Sequence, residues 1–362
     1  MSRIVISGYY GFANAGDEAM LAAIIGSLRQ KEPAVEITVI SGRPEQTGTK
    51  HQVLSVHRFN PWKIIQALYH SDLLLSGGGS LLQDVTSKQS LLYYLAIIFL
   101  GRILGKKVML FAQGIGPIKA AWLRWLTKLV CNRVDMLTVR DQDSLRELQR
   151  IGVDLGKVSL TADAVFTLAP VPLNLGRQLL EECGLKQEQS LVGIAVRQWP
   201  ARKDYLQELA VAADRLVEEH AAKIVLVPLQ RPRDLVACQR LQQLMRHGQE
   251  AYLITQVLDT RGYLSLIGNF RCLVGMRLHA LIFAAVMHVP FAALSYDPKI
   301  DGFIKEVQGA NLGGIDAVDS SKIYTAVEQL WEGSSHDFQA LEVLRAKAQD
   351  NIDKAVALLS RP

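Results

Sequence analysis

Short apolar runs of strand length alternate with longer runs of helical length through the first half of the chain. The strand-like runs are RIVISG, EITVISG, LLLSGGG, KVMLFAQG and MLTVRD, followed by VSLTADAVF. The segments between them predict helices over residues 17–31, 61–70, 88–104, 120–133 and 142–151. Apolar strands that alternate with helices predict a parallel sheet covered on both faces.

The same alternation returns after a polar, proline-containing segment over residues 168–190, which predicts a linker with one short helix. The second set of strand-like runs is LVGIAVRQW, KIVLVPLQ, AYLITQ, RCLVGM and PFAALSY, with helices predicted over 202–220, 233–247, 260–268 and 277–287. We therefore predict an α/β protein with two parallel-sheet domains, over residues 1–175 and 176–335. The final helix, within residues 336–362, is expected to pack back on the N-terminal domain.

The composition indicates a folded protein without a nucleic-acid signature. Of 362 residues, 49% are hydrophobic and 21% charged, and the net charge is +5, so two domains can each bury a core. This mild positive charge suits an anionic small substrate or an anionic membrane surface. Two domains facing each other form a cleft, and ligands of such sheets lie beyond the carboxyl ends of the strands.

Cysteine usage and the apolar stretches favour a cytoplasmic protein. The four cysteines are far apart and form no CxxC pair, which argues against structural zinc and a disulfide framework. The chain enters its first strand without a secretory signal pattern. Basic residues interrupt the most apolar stretch, residues 91–110. Its uncharged run is therefore well short of the roughly 20 apolar residues that cross a bilayer.

The glycine-rich turn GYYGFANAGDEAM, residues 8–20, follows the first strand. Its glycine spacing does not match the dinucleotide fingerprint, and carboxylates at Asp17 and Glu18 would repel a phosphate at the helix start. Two interpretations remain open. Either Asn14 or Asp17 caps the helix while the glycines make the turn, or Asp17 or Glu18 binds sugar hydroxyls or acts as a base.

Two further glycine-rich turns follow strands of the first half. SGGGSLLQD, residues 76–84, contains Gly78 and Gly79, whose successive amides either form an anion nest or allow tight packing. It lacks the lysine and Ser/Thr of a P-loop. AQGIGP, residues 112–117, is similar, and there Gln113 is expected to face the cleft.

GMRLHAL, residues 275–281, is the most specific local signal, because Arg277 and His279 stand together between a strand and a helix. Arginine binds carboxylate or phosphate in a bidentate manner, and histidine moves protons near neutral pH. Arg140 in LTVRD is a second arginine at a strand end, and the alternative for it is an ion pair with Asp141 or Asp143. Further cationic candidates in the C-terminal domain are Arg197, Arg231 and Lys299.

The helix KAAWLRWLTKLVCNR, residues 119–133, is basic and contains two tryptophans. It is either an amphipathic domain helix whose lysine stems lie over apolar surface or a shallow membrane contact.

The motifs GYYGFANAGDEAML, LLLSGGGSLLQD, FAQGIGP, TVRD, GMRLHALIFA and LSYDPKIDGF, in this order, resemble the polysaccharide pyruvyl transferase family. The similarity extends from about residue 3 to residue 305. It is closest to the bacterial branch that pyruvylates secondary cell wall polymers, to which S-layer proteins attach.

The resemblance implies a fold like that of GT-B glycosyltransferases, with two Rossmann-like domains. It implies phosphoenolpyruvate as donor, a pyruvate ketal as product, and no cofactor or metal. The acceptor it implies is a lipid-linked, N-acetylmannosamine-containing sugar, which places the enzyme in the cytoplasm at the inner face of the cell membrane.

On the family motif, His279 matches the catalytic histidine and is expected to act as general acid. Arg277 and Arg140 match arginines that bind the donor phosphate and carboxylate, from opposite domains, and Lys299 is expected to assist them. Asp17 or Glu18 would supply the base, while Asn14, Gly78, Gly79 and Gln113 would line the cleft.

Two other functions fit the same pattern. One is a GT-B glycosyltransferase that uses a nucleotide sugar, which needs a carboxylate for the ribose, and Asp297 and Asp301 are the candidates. The other is a binding protein for carbohydrate or lipid, which would bind ligand without releasing phosphate.

Overall fold

The computed structural model of the protein describes residues 2–186, 189–199, 205–307, 309–333 and 339–360. The chain divides into two compact domains. The first domain comprises Met1–Leu168 together with Val343–Pro362, and the second comprises Ala169–Glu342. The boundary lies slightly before the one predicted from the linker composition, and the end of the last helix belongs to the first domain.

The first domain is built on a parallel sheet of seven strands in the order β3-β2-β1-β4-β5-β6-β7. Its strands are β1 (Arg3–Ser7), β2 (Glu36–Ser41), β3 (Leu54–His57), β4 (Leu73–Gly77), β5 (Lys107–Gln113), β6 (Met136–Val139) and β7 (Val158–Leu160). Its helices are α1 (Ala15–Lys31), α2 (Pro44–His51), α3 (Pro61–Tyr69), α4 (Lys88–Ile103), α5 (Ala121–Cys131) and α6 (Gln142–Ile151), with a 3₁₀ turn over Ala164–Thr167.

Both faces of this sheet are buried. Alternate residues of each strand point to opposite sides, so they contribute to core clusters on the two faces. Val5 and Leu74 pack with the inner sides of α3, α4, α5 and α6. Ile6 and Leu75 pack with α1 and with the last helix, α14 (Gln339–Ser360). The buried Asn351 of α14 also hydrogen-bonds Thr161, with 2.8 Å between its Oδ1 and the threonine Oγ1.

The second domain has a parallel sheet of six strands in the order β10-β9-β8-β11-β12-β13. Its strands are β8 (Leu191–Ala195), β9 (Lys223–Leu226), β10 (Ala251–Leu253), β11 (Cys272–Gly275), β12 (Phe291–Ser295) and β13 (Ala310–Gly314). Its helices are α7 (Asn174–Glu182), α8 (Tyr205–His220), α9 (Arg233–Leu244), α10 (Thr260–Gly268), α11 (Leu278–Val286), α12 (Pro298–Glu306) and α13 (Ser320–Trp331).

The predicted fold class is confirmed, and most predicted elements lie within a few residues of those observed. The predicted helix 202–220 is described only from Tyr205 onward. Two strands were missed, β3 and β13, and both lie at sheet edges. Edge strands need no continuous apolar run: the residues of β3 are exposed or half-buried, and β13 contains two glycines.

The strand order reverses between β1 and β4 in the first domain and between β8 and β11 in the second. Open α/β sheets bind ligands at the carboxyl ends of the strands beside such a reversal. The residues that follow these four strands, and the neighbours that touch them, therefore define a candidate site in each domain.

Candidate active site

In the first domain, the glycine-rich turn after β1 is held by its own side chains. Tyr10 is buried and its hydroxyl donates to the carbonyl of Gly77, 2.7 Å away, at the end of β4. Gly11 has φ +82° and lies so close to the backbone of residues 42 and 43 that a Cβ would not fit. Asn14 caps α1 by accepting from the amide of Gly16 at 3.2 Å. Of the two capping candidates, the structure therefore selects Asn14.

Glu18 is turned into this loop. Its Oε1 accepts from the amide of Gly11 at 2.8 Å, and its Oε2 lies 3.5 Å from Lys50 Nζ and 3.7 Å from His51 Nε2. Burial raises the pKa of Glu18, but contact with His51 and the Gly11 hydrogen bond outweigh it, so that the pKa lies below its ordinary value. Glu18 is thus an ionised group that fixes the loop.

Asp17 points the other way, toward the end of β4. A Cβ at Gly79 would lie 3.0 Å from the Asp17 carboxylate, and Gly79 has φ +80°. Space and conformation both require glycine there. The Asp17 charge contributes to the raised pKa of Arg140, which burial alone would lower. Asp17 and Gly79 are therefore brought together at the reversal of strand order.

The turn after β4 is tied to β5 rather than left open. The amide of Gly78 donates to the carbonyl of Phe111 at 3.0 Å, so that this N–H is not free for an anion nest. Gln113 is fully buried, and its Nε2 donates to the carbonyl of Gly79 at 2.9 Å. Its burial does not support the expected exposure to a cleft and gives it a role in holding the turn.

Arg140 follows β6 and is buried against two partners that the sequence did not single out. Its Nη1 donates to Asp163 at 2.5 Å and its Nη2 to the hydroxyl of Ser80 at 3.2 Å. Of the two expected ion-pair partners, Asp141 lies 3.6 Å from Nε, whereas Asp143 pairs with Arg146. Burial lowers the pKa of Arg140, but the charges of Asp163 and Asp141 outweigh burial and raise the pKa above its ordinary value, so the guanidinium stays charged.

In the second domain, Arg277 is the residue immediately before α11, and no side chain caps that helix. Its Nε donates to Asp234 Oδ2 at 2.9 Å, and its Nη2 donates to Asp234 Oδ1 and, at 3.0 Å, to Gln230 Oε1. Asp234 is completely buried and also accepts from the amides of Leu229 and Gln230. The carboxylate thereby fixes the position of the Arg277 guanidinium.

His279 lies in the first turn of α11, half-buried, two residues after Arg277. Its ring packs against Phe283, one helical turn later, with 6.4 Å between ring centroids. Arg277 therefore places a guanidinium beside the start of a helix, a combination that favours anions in general, with His279 in the same turn.

Three more predicted cations follow strands of this sheet, and they differ in their partners. Arg197 follows β8, stacks on Tyr296 with 4.6 Å from its guanidinium to the ring centroid, and donates to the Tyr296 hydroxyl at 2.7 Å. Lys299, half-buried, lies in the first turn of α12 after β12. Arg231 instead donates to the carbonyls of residues 254 and 256, and so has a structural role.

The sequence did not identify Asp163 or Asp234, the carboxylates that hold the two arginines. A usable signal for Asp163 was its place in TADAVF directly after β7. Asp234 stands in the first turn of a helix, where a carboxylate is usually no more than a favourable dipole partner. Within the described ranges, no cluster of His, Cys, Asp or Glu is arranged to hold a metal ion.

The family model described as Polysaccharide pyruvyl transferase matches residues 14–298 of the chain. The amylovoran biosynthesis protein AmsJ of Erwinia amylovora is 21% identical over 364 residues, covering 84% of this chain and 86% of that protein. The UDP-GlcNAc 2-epimerase of Methanocaldococcus jannaschii superimposes with a TM-score of 0.69 at 14% identity, covering 99% of both chains. The Neisseria meningitidis UDP-GlcNAc 2-epimerase bound to UDP-GlcNAc gives 0.67 at 13%, covering 99% and 100%. At these identities the two structures show a shared fold, of the GT-B type, and nothing about the reaction.

Proposed function

Because the chain belongs to the polysaccharide pyruvyl transferase family, we propose that it transfers the three-carbon unit of phosphoenolpyruvate to a sugar of a polysaccharide precursor. The relative named for amylovoran biosynthesis supports a role in polysaccharide biosynthesis. In the proposed reaction, C3 of the enol gains a proton, the bond from C2 to the phosphate oxygen breaks, and two sugar hydroxyls bond to C2. Their two protons balance the one gained at C3 and the one that leaves with phosphate.

The observation that carries the placement of the donor is the position of Arg277 and His279 at the start of α11. Phosphoenolpyruvate has a phosphate and a carboxylate, so its site needs at least two positive groups. Arg277, held by Asp234, presents a fixed guanidinium beside an uncapped helix start, an arrangement that favours phosphate. Lys299, at the start of α12, is proposed as the second cation.

His279 is proposed as the general acid that protonates C3 of the enol. It lies within two residues of the arginine that would bind the donor, and histidine changes charge near neutral pH. Loss of phosphate is then promoted by the fixed positive charge of Arg277, which stabilises the charge that develops on the leaving group.

Asp17 is proposed as the base that accepts a sugar hydroxyl proton, in preference to Glu18. The Glu18 carboxylate is occupied by the Gly11 amide and two basic side chains, whereas the Asp17 carboxylate lies beside the backbone of Gly79, in the turn that follows β4. Arg140 is proposed to bind an anionic group of a substrate. We assign Asn14, Gly78 and Gln113 to holding the backbone around this position.

The acceptor proposed from the motif resemblance is a lipid-linked saccharide that contains N-acetylmannosamine and belongs to a secondary cell wall polymer for S-layer anchoring. Such an acceptor would bring the enzyme to the inner face of the cell membrane. The support for this choice is the similarity of the six ordered motifs to that branch of the family.

The direct test incubates the purified protein with phosphoenolpyruvate and a synthetic sugar-diphosphate-lipid acceptor, and follows phosphate release and the mass of the acceptor. We expect stoichiometric phosphate and a product that carries one pyruvate ketal. Transfer of a sugar from a UDP-sugar, without phosphate release from phosphoenolpyruvate, would reject the proposal in favour of a glycosyltransferase. Binding of phosphoenolpyruvate without turnover on a panel of acceptors would favour the binding-protein function.

A matched pair of variants tests the general acid. His279→Asn should abolish transfer, whereas His288→Asn, on the exposed residue that follows the same helix, should leave it unchanged. Near-normal turnover of His279→Asn would exclude the proposed role.

A second set tests Arg277 by titration with phosphoenolpyruvate. Arg277→Ala should weaken binding, and Arg240→Ala, exposed on α9, should not. Unchanged affinity in Arg277→Ala would remove this arginine from the donor site.

A further inference from the structure

The outer side of three helices in the first domain carries exposed aromatic rings. Across the described parts of the chain, the large aromatic side chains that are exposed all fall between residues 59 and 125: Phe59, Trp62, Tyr69, Phe99, Trp122 and Trp125. Trp62 is 79% exposed and Trp125 is 64% exposed. The exposed large hydrophobic side chains elsewhere are leucines and valines.

These rings belong to one surface, because α3, α4 and α5 cover the same face of the sheet. The inner sides of the three helices contribute Ile64, Leu95 and Leu123 to a single core cluster, so their outer sides point away from the sheet on that face. Contacts connect neighbouring helices: Lys106 Nζ lies 5.5 Å from the ring centroid of Tyr69, and α4 packs against α5. We call the outer side of α3, α4 and α5, with Phe59, the aromatic face.

The charge of this segment differs in sign from that of the rest of the chain. Residues 58–133 contain ten Lys and Arg and two Asp, a net charge of +8, which leaves −3 for the other residues of a chain whose total is +5. Asp84 is buried and accepts from the amides of Lys119 and Ala120, and Asp72 accepts from the amide of Arg3. Of the ten cations, Arg102 pairs with Asp135 and Lys107 donates to the carbonyl of Leu358, so the other eight supply the excess positive charge. Helices α3, α4 and α5 contain no acidic residue.

We propose that the aromatic face docks the protein on an anionic lipid bilayer. Tryptophan and tyrosine prefer the headgroup level of a membrane, and each lysine or arginine near an anionic surface adds to the attraction. Exposed Lys63, Lys119 and Lys128 accompany the rings. The sequence indicated only the helix 119–133; α3 and α4 are joined to it by the fold.

A bilayer explains the face better than a second copy of the chain does. A symmetric dimer through this surface would place the same patch against itself, and its excess positive charge would then face positive charge. Within the described residues, no helix is long and apolar enough to cross a membrane, so the proposal is surface docking. It rests on the proposed function only in its purpose, access to a lipid-linked acceptor.

The test uses the full chain, without substrates, and sediments it with vesicles of phosphatidylglycerol and phosphatidylcholine or of phosphatidylcholine alone. We expect binding to the anionic vesicles that weakens with salt. Three of the five tryptophans lie on the aromatic face, so binding should also shift the intrinsic fluorescence to the blue. Failure of the wild-type chain to bind anionic vesicles at low ionic strength would overturn the proposal.

The variant Trp62→Ser/Trp122→Ser/Trp125→Ser should bind about tenfold more weakly or worse, because it removes the ring contacts with the interface. The matched control Val211→Ser/Val236→Ser/Val257→Ser changes three exposed apolar residues of the second domain and should bind like the wild type. Equal binding by the tryptophan variant would overturn the proposal. So would sedimentation equilibrium that shows a dimer in the wild type and a monomer in this variant.

Charge is tested separately by Lys63→Glu/Lys119→Glu/Lys128→Glu, which should lose binding by about fivefold or more for each lysine replaced. Pyruvyl transfer to a water-soluble acceptor distinguishes the two proposals. It should be unchanged in the tryptophan variant, and its absence in the wild type would reject the reaction without affecting vesicle binding.

Discussion

Replacing Asp234 by asparagine isolates the contact that positions Arg277. Asp234 is completely buried, and its Oδ2 accepts from the amides of Leu229 and Gln230 and from Arg277 Nε. Its Oδ1 accepts from Arg277 Nη2. An asparagine with its oxygen in the Oδ2 position keeps the first three hydrogen bonds. Its NH₂ group then faces Nη2, donor against donor, while Gln230 Oε1 still accepts from Nη2 at 3.0 Å.

The expected loss of stability follows from the hydrogen bonds that Asp234→Asn keeps and loses. One charge-assisted hydrogen bond is removed, which is worth about 1.5–3 kcal/mol, and the Arg277 side chain is only 14% exposed, so water compensates little. For a domain of this size the melting temperature falls by ~2–4 °C per kcal/mol, and the transition of the second domain should therefore shift by several degrees. Asp234→Ala removes every acceptor and should cost more, about 3–5 kcal/mol.

The effect on function should appear in the binding of the donor substrate, because the Arg277 guanidinium loses the contact that fixes its orientation. We expect KM for phosphoenolpyruvate to rise by about tenfold or more in Asp234→Asn. If Asp234 acts through Arg277, adding Asp234→Asn to Arg277→Ala should raise KM no further, a non-additivity that a double-mutant cycle measures.

Asp214→Asn is the matched control. Asp214 is also buried in the second domain, and it accepts from the amides of Arg246 and His247. This variant should lose stability while KM stays at the wild-type value. A wild-type melting temperature and KM in Asp234→Asn, or an equal rise of KM in Asp214→Asn, would show that Asp234 does not position Arg277.

Three further predictions concern the first domain and β13. Glu18→Gln should destabilise by about 1–3 kcal/mol at pH 7. Since the folded pKa of Glu18 is lowered, this difference from wild type should be full above the unfolded pKa of about 4.3 and vanish as pH falls through the folded value; a constant difference across acid titration would contradict the assignment. Gly79→Ala adds both a left-handed alanine and a 3.0 Å contact with Asp17, whereas Gly313→Ala, at φ +86° with nothing nearby, adds only the first. In urea unfolding, Gly79→Ala should lose more stability than Gly313→Ala, and equal losses would contradict the contact with Asp17. Asn351→Ala should lower stability by about 1–3 kcal/mol, read as loss of hydrogen-exchange protection in α14; unchanged protection would exclude its role in docking that helix.

Elements whose residues are buried on both sides were predictable from the chain alone. The strands β1, β4 and β5 are short apolar runs bounded by glycine or charge, and period and length identify them. The edge strands β3 and β13 carry no such run. Each has only one neighbouring strand, and most of its residues are exposed or half-buried. Their assignment depends on hydrogen bonds to the preceding strands, β2 and β12, which their own residue pattern does not indicate.

Residues that are neighbours along the chain were found, and partners across the fold were not. Local pattern was sufficient for the α/β class, the two domains and the position of Arg277 and His279 at one strand end. The folded chain was needed to show that Asp234 and Asp163 hold the two arginines, that Glu18 faces the loop while Asp17 faces Gly79, and that three helices share one aromatic face. The reason is physical: local periodicity records which side of an element is buried, whereas the partner of a buried charge is set by which strand ends the sheet order brings together.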